Sequence, residues 1–241
     1  MSTPHTPAAL ALRPRRRNLF AQVVEELGSR IVRGDLGPGE AFPKEADLEQ
    51  EFGVSRSVVR EAVKALSAKG LLESRTRTGI RALPPMHWNL LDAEVLSWRY
   101  ASMPPLQFFT ELFEVRAMIE PEACALAAER AAPADLAEIQ AAFRAMTDAR
   151  EANAPGIDAD LRFHRGILAA SRNQLLLQMG NLIGVGLSIS HRFSQESFAL
   201  FLPLHGRVME SIEERRPAAA RAAMQRLLER TRDYMKDHIK E

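Results

Sequence analysis

One cysteine in 241 residues, Cys124, rules out an intrachain disulfide and any zinc site built on several thiolates. The chain also lacks a long apolar run. Its most hydrophobic stretch, MGNLIGVGLSI, is too short to cross a bilayer. The first residues run apolar (AALAL) before basic (RPRRR), the reverse of a secretory signal. A cytoplasmic protein without a membrane partner is the expectation. A dominant charge is missing too: the formal net charge is +1. What exists is a mild asymmetry, with 14 Lys and Arg against 10 Asp and Glu in residues 1–83 and 18 against 21 in the remainder. A basic front half is compatible with an anionic partner but does not single one out. Hydrophobic and charged fractions of 46% and 26% exclude disordered and collagen-like classes. The length fits one large or two modest domains.

Residues 1–17 hold three prolines and Arg13, Arg15, Arg16 and Arg17 without an apolar period. They read as a flexible basic tail, either solvated or laid along phosphates. From Phe20 an amphipathic stripe, Val23, Val24, Leu27 and Ile31, predicts a helix closed by Gly34. A short helix is expected in PKEADLEQEFG, with Leu48 and Phe52 on one face and a tight turn at Gly53. Ser55 then stands where an N-cap would start RSVVREAVKALSAKG. In that third helix Val59, Ala62, Val63 and Leu66 form an apolar stripe, while Arg56, Arg60 and Lys64, four residues apart, form a basic ridge. LLESR and GIRAL around the polar tip TRT predict a two-stranded hairpin.

Helix, helix, glycine turn, basic helix and hairpin describe a winged helix-turn-helix over residues 18–83. A basic helix can enter the major groove of double-stranded DNA and a hairpin tip the adjacent minor groove. Winged helices also serve as protein-interaction modules. Residues 84–104, with Pro84, Pro85, Pro104 and Pro105, read as a linker with one short helix, packed through Trp88, Leu91, Leu96 and Trp98. No strand pattern follows. Helices are expected at about 105–131, 133–152, 156–171, 173–196, 198–215 and 217–239, with Pro121 bending the first. The fold class is therefore mainly α, a winged helix-turn-helix followed by an all-helical bundle.

The segment FPKEADLEQEFGVSRSVVREAVKALSAKGLLESRTRTG resembles the winged-helix domain of the GntR family of bacterial transcription regulators. FEVRAMIEPEACALAAERA, DLRFHRGILAASRNQLL and LPLHGRVMESIEERRPAAARAAMQRLL resemble the FCD effector domain of its FadR subfamily, and WNLLDAEVLSWRY the linker of the branch that senses sugar acids such as galactonate. The resemblance implies DNA contacts at Ser55, Arg56, Ser57 and Arg60, with Lys64 extending the ridge, and at Arg75, Arg77, Thr78 and Gly79 of the wing. Ala46 stands where many relatives carry an arginine that helps contact DNA.

Asp160 and His164, at i and i+4, can aim at one point. Taken alone they read rather as a surface aspartate–histidine hydrogen bond. The resemblance adds His205 as a third metal ligand and removes a fourth, because Leu227 occupies the position of the histidine many relatives have there. One carboxylate and two imidazoles suit a divalent ion, zinc first, with nickel or manganese as alternatives. His191 is a substitute ligand or a structural histidine. Arg116 matches an arginine that faces the effector pocket, with a salt bridge to Glu120 or Glu111 as its plain alternative. The implied function is a homodimeric repressor that reads a palindromic operator and is released by a small carboxylate such as a sugar acid. It is not expected to be an enzyme. The competing readings are a metal-independent sensor of a fatty acyl thioester or another apolar ligand and, more remotely, a metalloenzyme.

Overall fold

The computed structural model describes residues 14–75, 79–152, 156–190 and 195–238. The chain divides into two compact units, with the division between Ser102 and Met103.

The first unit starts with α1 (Pro14–Arg33), α2 (Glu45–Phe52) and α3 (Arg56–Ala68), followed by the antiparallel hairpin β1 (Leu72–Arg75) and β2 (Gly79–Ala82). Helix α1 begins earlier than the composition suggests, because Pro14 suits the first helical position, where no N–H is required. The apolar stripes converge as their periods predict: Leu27, Ile31, Leu48, Val59 and Leu66 are buried in one core. Gly53, at φ 61°, ends α2 in the left-handed conformation and turns the chain into α3. Ser55 has N-cap backbone angles, but its hydroxyl does not cap α3; it meets the Ser57 hydroxyl at 2.9 Å. In the hairpin Leu72 pairs with Ala82, both buried, and Glu73 pairs with Arg81, whose Nε donates to it at 2.6 Å.

The proline-rich segment belongs to this unit. Trp88 and Trp98 lie in the same core, and α4 (Ala93–Ala101) packs on α1. The Trp88 indole donates to the Leu83 carbonyl at 2.9 Å, and the Lys69 ammonium holds Asp92 at 2.6 Å and Glu94 at 2.7 Å. Burial by itself would lower the Lys69 pKa, but these two hydrogen bonds outweigh it and leave it raised. Leu91 does not pack: it is 55% exposed in the turn before Asp92 caps α4. Two glycines permit the close approach. The Trp98 ring occupies the space a Cβ on Gly28 would need, and the His87 carbonyl oxygen does the same at Gly70, which also has φ 76°. Gly70→Ala combines left-handed strain with a backbone collision, so it should cost about 2–4 kcal/mol of stability, read as a lowered midpoint in thermal or urea unfolding.

The second unit is all-helical: α5 (Pro105–Arg130), α6 (Pro133–Glu151), α7 (Ile157–Ala170), α8 (Gln174–Gln178), α9 (Gly180–Ser190), α10 (Gln195–Glu213) and α11 (Pro217–His238). The single helix expected over 173–196 is two, because Asn173 caps a short α8 through its side chain and a turn at Met179 precedes Gly180. Pro121 and Pro203 both lie inside helices. Helix α5 packs against α7, α10 and α11, and α6 against α7 and α10. Phe163, Ile167 and Leu168 place one face of α7 in the core. Among the described residues no helix is long and apolar enough to cross a membrane.

Candidate nucleic-acid interface and metal centre

Burial splits α3 as its sequence periodicity requires. Val59, Ala62, Val63 and Leu66 are inside, whereas Ser55, Arg56, Ser57, Arg60 and Lys64 are exposed along the first turns and one flank. Arg56 reaches Glu45 of α2 at 3.2 Å and Lys64 reaches Glu61 at 2.9 Å. Exposed pairs of this kind hold little energy and yield readily to a phosphate. Ala46, in the first turn of α2, is also exposed and offers no charge there. In the wing, Gly79 has φ 78° with open space about it, which suits a tight hairpin end. The backbone of Arg75 belongs to β1. Arg77 and Thr78 lie outside the described residues, as does His191.

The second unit brings together residues that are distant in the chain. Asp160 and His164 of α7 meet His205 of α10, and all three are buried. One potential ligand atom from each lies within 4.8 Å of the others. Asp160 Oδ1 is 3.1 Å from His205 Nε2 and 3.6 Å from His164 Nε2. Phe163 makes T-shaped contacts with both rings, at centroid distances of 5.8 Å and 5.4 Å. Leu227 is buried on α11 and supplies no donor atom.

The other nitrogen of each imidazole decides what this cluster can do. His205 Nδ1 lies 2.9 Å from the Phe201 carbonyl, and His164 Nδ1 lies 2.5 Å from Glu120 Oε2. Burial by itself would raise the Glu120 pKa. The charges of Arg116 and His164, with their hydrogen bonds, outweigh that and bring it down to about 2, so Glu120 is a carboxylate at neutral pH. A carbonyl and a carboxylate only accept hydrogen bonds, so each Nδ1 carries the proton. Where Nδ1 holds the single proton of a ring, its Nε2 presents a lone pair towards Asp160 Oδ1. Such acceptor atoms converging in a buried place repel one another unless positive charge lies among them, either a second proton on an imidazole or a metal ion. A metal-binding histidine characteristically has its second nitrogen held in this way. The donor set therefore fits a divalent ion, with two imidazole nitrogens and a carboxylate leaving room for further ligands.

Arg116, on α5, is 2% exposed. Its Nε donates to Glu120 Oε1 at 2.5 Å, and its guanidinium carbon is 5.0 Å from the centre of the Phe113 ring. The salt bridge to Glu120 is present, yet among the described residues it leaves Nη1 buried without a hydrogen-bond partner. Such a donor is costly to leave unmatched and calls for an acceptor. Glu120 is the residue that sequence reasoning undervalued. Its spacing of four from Arg116 was visible as a pairing, but its contact with His164, 44 positions on, was not.

Residues 19–81 match the family model described as bacterial regulatory proteins, gntR family, and residues 111–230 match that of the FCD domain. The chain is 33% identical over 217 residues to the HTH-type transcriptional regulator YieP of Escherichia coli (strain K12), covering 88% of this chain and 93% of that protein. It is 35% identical over 162 residues to the galactonate operon transcriptional repressor of the same strain, covering 67% and 71%. Among solved structures, Lar, which controls the expression of the Listeria monocytogenes agr system, aligns with a TM-score of 0.65 at 19% identity over 97% of this chain and 99% of that one, a likeness of fold.

Proposed function

Since the chain belongs to the GntR family of bacterial regulatory proteins and carries an FCD domain behind its DNA-binding winged helix, we propose that it is a homodimeric repressor of an organic-acid catabolic operon, released by a small carboxylate bound beside a divalent metal. The observation that carries this reading is the convergence of His164 Nε2, His205 Nε2 and Asp160 Oδ1 in a buried place, each imidazole being held from behind through Nδ1. Zinc suits this donor set best, with nickel or manganese as alternatives. A divalent ion bound there would supply positive charge and Lewis acidity to a carboxylate or hydroxyl oxygen.

The chain's own residues supply the rest. Arg116 Nη1 offers a buried donor to a carboxylate oxygen. Charge supports an anion as well: Arg116 and Glu120 cancel, Asp160 is negative and a divalent cation reverses that, so one carboxylate makes the buried group neutral. The likeness to a galactonate operon repressor favours a sugar acid. Ser55, Arg56, Ser57 and Arg60 would read base edges and phosphates, with Lys64, Arg75, Arg77, Thr78 and Gly79 as flanking and wing contacts. Effector binding would change how the two winged helices of the dimer match half-sites about 34–36 Å apart. The effector must bind the two poses unequally, since equal affinity shifts nothing.

The test is DNA-binding anisotropy with the intergenic DNA beside the protein's own gene. Zinc-loaded protein should release that DNA on addition of galactonate or a related 2-hydroxy acid, and chelator-treated protein should not. Release by an acyl thioester in chelated protein would instead favour a metal-independent sensor.

A further inference from the structure

One carboxylate stands between Arg116 and the three-ligand cluster. Glu120 Oε1 accepts from Arg116 Nε and Oε2 meets His164 Nδ1, each at 2.5 Å, and all three side chains are 2% exposed. We infer that Glu120 is a positioning residue that couples the two halves of the site, because the charge it gives to His164 is withheld from Arg116. The inference rests on the metal-dependent reading above.

Glu120 shares one negative charge between two partners in a place screened from solvent. Glu120 holds the proton at His164 Nδ1 and so keeps the Nε2 lone pair directed at Asp160. The more positive the imidazole, the more strongly Nδ1–H draws on Glu120, and the less of that carboxylate remains to neutralise Arg116. The guanidinium then becomes a better donor to an anion at Nη1, the atom left without a partner. An anion at Nη1 in turn draws Arg116 away from Glu120 and leaves the carboxylate to His164. Occupancy of either half therefore strengthens the other, and by linkage the factor is the same in both directions. A glutamate serving only to neutralise a buried arginine would fill the same space but would transmit nothing.

The full chain allows a test with zinc alone as the probe. Zinc affinity is measured by competition with a chromophoric chelator, and bound cobalt(II) is followed by its absorption spectrum. The proteins compared are the wild type, Glu120→Gln, Arg116→Gln and the double variant. Glu120→Gln, which removes no ligand, should weaken zinc roughly 10- to 100-fold and alter the cobalt spectrum. Arg116→Gln should tighten zinc on the order of fivefold, because Glu120 is left to His164 alone. In the Glu120→Gln background the same change should have no effect beyond about twofold. If Arg116→Gln does not fold, Arg116→Met keeps an apolar stem of similar length, removes the cation, and should tighten zinc in the same Glu120-dependent way. Unaltered zinc affinity in Glu120→Gln, or an equal effect of the Arg116 change in both backgrounds, overturns the coupling and leaves the metal site standing. A wild type that takes up no zinc overturns the metal reading and this inference together.

Discussion

Replacing His164 by Ala should lower zinc affinity by about two to three powers of ten. Protein zinc sites with four ligands bind with roughly 10–16 kcal/mol, so each ligand represents about 3–4 kcal/mol, and 1.4 kcal/mol is tenfold. The loss should fall at the upper end here, because the cluster offers three candidate ligands among the described residues and Leu227 adds none. A second readout separates coordination from folding. Excess zinc should raise the thermal midpoint of the wild type, since a ligand that binds only the folded state stabilises it in proportion to the logarithm of its concentration. The midpoint of the His164→Ala protein should hardly respond. Equal zinc-induced shifts in the two proteins would mean that the ion binds elsewhere, with Asp160, His164 and His205 reduced to a structural cluster.

The second large effect concerns DNA. The double substitution Arg56→Ala and Arg60→Ala should weaken operator binding by about a hundredfold or more, at roughly 1–3 kcal/mol for each lost contact. Both side chains are exposed at the start of α3, so the thermal midpoint should remain that of the wild type. The exposed ion pair of Arg56 with Glu45 adds too little to alter that expectation. Salt dependence discriminates further. If both arginines contact phosphates in each protomer of the dimer, four contacts are lost and the slope of log affinity against log salt should fall in magnitude by about 4; if they read bases, specificity should relax with less change in slope. Unchanged affinity and slope would move the recognition surface away from this ridge.

The winged helix was legible because its signals are local. Apolar residues at helical spacing, a glycine where the chain must turn left-handed and two short segments of strand character each describe a few neighbouring residues, and the structure assembles them as those residues require. Ser55 and Leu91 depart for equally local reasons. A serine hydroxyl has a competing partner two residues on, and a leucine in a turn need not follow the helix beside it. The break at Met179 was hidden by a continuous apolar run that suits one helix as well as two.

Sequence by itself determined the fold class, the basic ridge of α3, the i, i+4 placement of Asp160 and His164, and the absence of any ligand side chain at Leu227. These depend on backbone periodicity and residue chemistry, which operate over a few positions. Tertiary structure alone decided that the aspartate–histidine pair is buried, that His205 from α10 closes on it, and that Glu120 lies behind His164 while also holding Arg116. Those facts depend on how α5, α7 and α10 pack. Packing sets which nitrogen of each imidazole lies against an acceptor behind it and which one faces Asp160.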